Sequence, residues 1–162
     1  GSANSVAKYV QWLEDAYLLF SVPRFSWSLK SVAINPKKVY TIDTGFAQAN
    51  SLSFTDDLGR LFENAIFLEL RRMYKDIYYF REQGECDFIV KEGKEIKHIL
   101  QVCTEINPDN LNREVNGLEE ALAFFSKTEG HIITLNQNDK IVKGNKVIHL
   151  ISASNWLSNI LK

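Results

Sequence analysis

Tyr78-Tyr79-Phe80-Arg81, Glu85-Cys86-Asp87-Phe88-Ile89-Val90 and His98-Ile99-Leu100-Gln101-Val102-Cys103 follow one another closely in the chain. They read as three short strands, divided by Gln83-Gly84 and by Glu92-Gly93-Lys94. Glycine-containing breaks between runs of β-branched and aromatic residues are the usual hairpin signal. Side chains alternate faces along a strand. Glu85 and Asp87 are therefore expected on one face, and Cys86 and Phe88 on the other. The same parity joins Gln101 with Cys103 and sets Leu100 and Val102 opposite them. If the two strands are neighbours, Asp87, Gln101 and Cys103 point at one spot. A carboxylate fixed in a sheet beside a second oxygen ligand is a seat for Mg2+, which prefers hard oxygen donors.

Upstream of these strands, the periodicity predicts a helix ending near Tyr74, with Asp56 or Asp57 as its N-cap. Leu58, Leu61, Phe62, Ala65, Ile66 and Met73 mark its apolar stripe. On a helical wheel Glu69 falls near the centre of that stripe and Glu63 at its edge. Periodicity alone therefore picks Glu69 as the more buried acid, a candidate partner for Arg72 or for a backbone group. Downstream, Asn107-Pro108-Asp109 opens an amphipathic helix from Asn110 to Lys127, carrying Leu111, Val115, Leu118, Leu122 and Phe125. His131 to Leu135 is a fourth core strand. Lys140–Val142 and Lys146–Leu150 flank Gly144-Asn145, a second hairpin signal. Ser154 is the expected cap of a short last helix bearing Trp156, Leu157, Ile160 and Leu161. The fold class is α/β: a core of helix, three strands, helix and strand over 51–162, preceded by an N-terminal helix and strand region over 1–50. That region begins with an amphipathic helix through Val6, Val10, Leu13, Tyr17 and Phe20. Extended chain follows around Pro23, which suits an edge strand or a turn. Another strand runs from Lys37 to Asp43. Ser51 to Asp57 reads as polar linker.

The order of the core resembles the PD-(D/E)xK fold of restriction-endonuclease-like nucleases, whose signature is a Glu on a helix, an acid on one strand and an acid-any-Lys triplet on the next. The matching residues are Glu63 within Gly59-Arg60-Leu61-Phe62-Glu63-Asn64, then Asp87, then Gln101-Val102-Cys103. More narrowly, Lys38-Val39-Tyr40-Thr41-Ile42-Asp43-Thr44-Gly45-Phe46 followed by the Glu63-Asn64 helix resembles a C-terminal domain of unknown function in archaeal and bacterial AAA-type P-loop ATPases. The resemblance runs from about Val6 to the end. It implies a metal set of Glu63, Asp87 and Gln101, supported by Glu69 and Glu85, with catalysis shared by Asp87, Gln101 and the residue at position 103. It also implies an upstream ATPase domain, because no Gly-x-x-x-x-Gly-Lys-Ser/Thr sequence occurs in this chain. In the N-terminal region it leaves open a winged-helix remnant.

The triplet departs from the signature, since it ends in Cys103 where the family has Lys. In a working nuclease of this kind, acids hold Mg2+ or Mn2+ on the scissile phosphate and generate hydroxide, and the lysine offsets developing charge. Gln101 can offer a neutral carbonyl oxygen. Cys103 cannot replace an ammonium, and a thiolate suits hard cations poorly. The leading expectation is thus a cofactor-free, degenerate site in a DNA-associated or protein-docking module. The alternative is a Mg2+- or Mn2+-dependent DNA endonuclease.

Composition narrows the classes further. An apolar fraction of 45% with 12% aromatic residues suits a folded globular domain. A net charge of −1 leaves no global basic field, so any nucleic-acid surface is local. Lys37, Lys38, Arg71 and Arg72 are the candidates for it. Cys86 and Cys103 form neither a secreted disulfide framework nor a Cys-x-x-Cys site. No apolar run reaches the length of a membrane span and no signal peptide is evident, so a cytoplasmic address is expected, with no membrane partner. Gly1-Ser2 reads as a cloning scar, so a natural chain extending upstream is expected. A dimerisation surface on the N-terminal helix and strands, and hence a homo-oligomer, stays open. His98, His131 and His149 read as scattered strand-surface histidines, leaving Cys103 without a base. Trp12, Trp27 and Trp156 read as core.

Overall fold

A computed structural model describes residues 3–43 and 55–160. In chain order the elements are α1 (Ala3–Asp15), β1 (Leu19–Pro23), α2 (Leu29–Ile34), β2 (Lys37–Thr41), α3 (Thr55–Met73), β3 (Asp76–Arg81), β4 (Glu85–Glu92), β5 (Glu95–Val102), α4 (Leu111–Phe124), β6 (Glu129–Thr134), β7 (Asp139–Lys143), β8 (Lys146–Ser152) and α5 (Ala153–Ile160). This is a mixed α/β architecture with two sheets. β1 and β2 form an antiparallel pair, and the other six strands lie in the order β3-β4-β5-β6-β8-β7. β3, β4 and β5 form an antiparallel meander. α4 then carries the chain over the sheet, so that β6 adds parallel to β5. β8 adds parallel to β6, and β7 closes the edge as the hairpin partner of β8. Gly93 and Gly144, at φ of 61° and 62°, make the β4–β5 and β7–β8 turns in the left-handed region where glycine carries no Cβ penalty.

The large sheet is buried on both faces. On one side Phe62, Ile66, Phe67 and Leu70 of α3 pack with Phe88, Val90, Leu100, Val102 and Ile133, joined by Val22, Tyr40 and Trp156. On the other, Val115, Leu118, Ala121 and Leu122 of α4 pack with Cys86, Ile89, Ile99, Ile132 and Ile148. The α3 stripe is therefore rotated from its expected position: Phe67 and Leu70 take the centre, whereas Ala65 and Leu58 are exposed. The two largest unbroken contributions, Phe67 stacked on Tyr40 at 4.3 Å and Leu70 fully enclosed, set the helix's rotation.

Strict alternation also fails in β4. Cys86 packs on the α4 side and Phe88 on the α3 side, although sequence parity puts them together. The pairing of β3 with β4 explains it. Tyr78 pairs with Ile89 and Phe80 with Cys86, so two steps on β3 oppose three on β4. That extra residue is a β-bulge, which reverses the faces of the residues beyond it.

Between the extended chain around Pro23 and the strand from Lys37, the N-terminal region contains a short helix, α2, that the sequence reading did not assign; Ser28 caps it by accepting from Ser31 N at 3.4 Å. α1 stops at Asp15, and Tyr17 turns at φ 58°, before Leu18 and Phe20 join the strand region. Trp12 and Trp27 are exposed and only Trp156 is in the core, so two of the three expected core tryptophans lie on the surface. Ser152, not Ser154, accepts from the first turn of α5, through Asn155 N at 3.4 Å. The Thr44-Gly45-Phe46 end of the N-terminal motif, most of the Ser51–Asp57 linker, the caps expected of Asp56 and Asp57, and the packing of Ile160 and Leu161 lie outside the described residues.

Candidate functional site: an acidic cluster closed by a lysine

The small sheet is anchored over one end of the large one. Asn64, buried on α3, donates from Nδ2 to Thr41 O at 2.9 Å and accepts from Thr41 N at 2.8 Å. Tyr79 on β3 donates its hydroxyl to Pro36 O at 2.7 Å, and Phe25 N donates to Tyr79 O at 2.7 Å. Alternation along β2 then turns Lys38 and Tyr40 inward while Lys37 and Val39 stay exposed.

Lys38 reaches the acids. Its Nζ lies 2.8 Å from Asp87 Oδ1, 2.8 Å from Glu85 Oε1 and 3.1 Å from Glu63 Oε1. Tyr40 donates its hydroxyl to the same Glu63 oxygen at 2.6 Å. α3 supplies Glu63 beside the anchoring Asn64, and the start of β4 supplies Glu85 and Asp87. The other oxygen of Asp87 accepts from Val102 N at 2.9 Å. Both Asp87 oxygens are thus engaged within the protein.

The electrostatics follow from burial. Asp87, enclosed and close to Glu63, has its carboxyl pushed up to about 7, although Lys38 opposes the shift. Burial by itself would lower the Lys38 ammonium, yet Asp87 and Glu63 more than offset this and hold it above its ordinary value. Burial, then Glu63, pushes the Tyr40 hydroxyl up, so it remains a donor.

Gln101 lines the same cleft as Asp87 and Cys103 but is tied to other partners. Its Nε2 donates to Glu114 Oε2 at 2.6 Å, and its Oε1 accepts from Asp87 N at 3.2 Å. Its side chain therefore meets Asp87 through the backbone, while the Asp87 carboxylate turns to Lys38. Arg113 holds the other Glu114 oxygen, its Nε at 3.0 Å. Cys103 donates its thiol to Glu105 O at 2.9 Å and accepts from Asn110 Nδ2 at 3.4 Å. Burial raises its pKa, which keeps it a thiol. A cleft of about 580 Å³ runs past these groups, lined by Arg60, Glu63, Glu85, Asp87, Cys103 and Arg113 among others.

The remaining sequence candidates lie elsewhere. Glu69 is half-buried and pairs with Arg72 at 2.6 Å. It is away from the stripe's centre because of the helix rotation described above. Arg71 donates to the carbonyls of Tyr74 and Lys75 at the end of α3, about 12 Å of helix rise from Glu63. Lys37 is exposed, and Lys38 is consumed by the acids, so the four basic residues do not make one nucleic-acid patch. Among the described residues no group of three or more His, Cys, Asp or Glu is arranged to hold a metal ion. With Lys38 at their midpoint and Gln101 Oε1 turned to Asp87 N, the residues assigned by the resemblance do not fit a divalent cation in this arrangement.

As members of this site Lys38, Tyr40, Arg113 and Glu114 escaped sequence reasoning, which offered Lys38 only as a nucleic-acid contact. Glu114 carried a legible signal, an acid on the apolar stripe of α4 between Leu111 and Leu118. Lys38 carried only its alternation with Tyr40, and nothing local shows that β2 meets β4.

Comparison with known proteins adds relatives without an assigned role. Residues 1–57 match a family described as "Domain of unknown function (DUF8612)". An uncharacterized protein of Methanocaldococcus jannaschii is 32% identical over 144 residues, covering 86% of this chain and 31% of that protein. An uncharacterized protein of Haemophilus influenzae is 28% identical over 116 residues, covering 71% of this chain and 28% of that protein. No solved structure matches. The chain spans under a third of the length of these curated relatives.

Proposed function

We propose that this chain is the nuclease-like PD-(D/E)xK module of a longer prokaryotic AAA-type ATPase, that its acidic site is neutralised by its own lysine, and that it serves in protein docking rather than cleavage. The observation that carries the reading is Lys38 Nζ within 3.1 Å of Glu63, Glu85 and Asp87. An ammonium at that midpoint takes the place a divalent cation needs, and the metal would have to displace it against three ion pairs. Cys103 leaves the signature's own lysine position without charge. Docking is favoured over DNA association by the surface: Tyr9, Trp12, Tyr17 and Leu18 are exposed together at the N-terminal end, whereas the basic residues are dispersed. The ATPase context rests on the sequence resemblance, and the much greater length of the relatives is compatible with it.

One feature favours the endonuclease alternative. Lys38 brings an ammonium to the very acids whose triplet lacks one, so a lysine supplied from β2 could serve in place of position 103. Cleavage of a supercoiled plasmid in Mg2+ or Mn2+ separates the two. No cleavage, with no calorimetric binding of Mg2+ or Mn2+ by the unmodified chain, is expected. Metal-dependent nicking that disappears in both Asp87→Ala and Lys38→Ala would establish the enzyme instead.

A further inference from the structure

Two histidines that look unrelated in sequence face each other on adjacent strands. His131 on β6 and His149 on β8 are direct register partners in the parallel pair, and their ring centres are 5.3 Å apart with planes 27° from parallel. Both are half-buried and line a cleft of about 360 Å³ with Asn138, Asn155 and Ser158, on strands that β5 separates from the acidic cluster's β4. Among the described residues neither imidazole has a hydrogen bond, whereas His98, the third histidine, is tied to the Tyr74 hydroxyl at 2.9 Å. Two half-buried imidazoles with open nitrogens, held side by side by a sheet, are an arrangement that a pure packing role does not require.

We propose that His131 and His149 form a binding site for a borderline transition-metal ion of the Zn2+, Ni2+ or Cu2+ class. Imidazole nitrogen suits these ions rather than Mg2+. A zinc ion about 2.0–2.1 Å from a ring nitrogen lies about 3.2 Å from the ring centre, so two rings on one tetrahedral ion have centres about 5.2 Å apart. The centres are already 5.3 Å apart, but the stacked rings do not yet aim their nitrogens at one point, so both side chains must turn about Cα–Cβ and Cβ–Cγ to converge on the ion. Water from the cleft completes the coordination. Lys140 stands opposite His149 on β7, but it is exposed and its charge is screened by solvent. Glu129, on the same strand as His131, contributes a compensating negative charge.

The probes are Zn2+ by titration calorimetry and Cu2+ by electron paramagnetic resonance, both on the 162-residue chain near neutral pH. Equimolar Zn2+ binding is expected. His131→Gln and His149→Gln should each weaken it by about tenfold or more, the scale on which even outer partners of a bound metal matter. His98→Gln and Cys103→Ser should leave it unchanged. The Cu2+ spectrum of the unsubstituted chain should show coupling to two imidazole nitrogens, a readout independent of whether the variants fold. Absence of Zn2+ binding, binding that survives loss of both histidines, or a spectrum without imidazole nitrogen would overturn the proposal.

Discussion

Lys38 Nζ and Asp87 Oδ1 lie 2.8 Å apart although 49 positions separate them in the chain. This pair joins the small N-terminal sheet to the large one, and Glu63 and Glu85 complete the shell around the same ammonium. Its chemistry supplies the first tests.

Lys38→Met removes the cation from three carboxylates, of which Asp87 is almost fully enclosed. Breaking a buried pair by deleting one partner typically costs about 3–5 kcal/mol, because the remaining charge is left uncompensated. A loss of about 3 kcal/mol in urea unfolding is expected at pH 8, and less at pH 5, where Asp87 holds its proton. Added Mn2+ should raise the variant's midpoint and leave that of the unmodified chain unmoved.

Asp87 gives a pH dependence of definite sign. Its folded-state pKa, about 7, is above the ordinary value of 3.8, so the folded chain binds this proton more tightly than the unfolded one. The contribution is complete below about pH 4 and is lost as pH rises through about 7, with a slope of at most about 1.4 kcal/mol per pH unit. Comparing unfolding midpoints of the unmodified chain and Asp87→Asn between those limits isolates it. The variant should show the shallower decline.

Gly117→Ala tests the contact that brings α4 onto β4. A Cβ at this position would stand 2.1 Å from Glu85 O, a backbone atom that cannot step aside without moving the strand. Overpacking of this kind costs about 1–3 kcal/mol. The upper end is expected here, together with changed amide shifts at Glu85 and Asp87 in nuclear magnetic resonance spectra.

Asn64→Ala leaves Thr41 N and O without their side-chain partner. An orphaned buried group costs about 1–3 kcal/mol, and Thr41 is half-buried, so the lower end for each of the two groups, a loss of about 2 kcal/mol, is expected. Because Asn64 ties β2 to α3, hydrogen exchange should quicken at Tyr40 and Thr41 and leave β6 unaffected.

Gln101→Glu, the substitution that the nuclease signature invites, should fail as a repair. Gln101 Nε2 lies 2.6 Å from Glu114 Oε2, and a carboxylate there would face another carboxylate in a buried site. One of the two must hold a proton. The variant's stability should fall with rising pH relative to the unmodified chain, and Glu114→Gln in the same chain should restore it.

Much of this protein was legible in one dimension. The three-strand centre, the long helix before it, the α4 stripe and the Gly144 hairpin follow from alternation, 3.6-residue periodicity and glycine turns, all properties of neighbouring residues. The family resemblance, not periodicity, named Glu63 with Asp87 and Gln101, and Glu85 with Glu69 in support; of these, Glu63, Glu85 and Asp87 meet at Lys38. What only the tertiary structure decided is what faces them. The bulge in β4 reversed a parity that alternation alone assigns, Phe67 and Leu70 set the rotation of α3, and the parallel register of β6 with β8 brought His131 to His149. Lys38 entered the acidic cluster for the same reason. Its partners are chosen by how one sheet docks on another, and that docking energy is distributed over Asn64, Tyr40, Tyr79 and Phe67 rather than written in any local run of sequence.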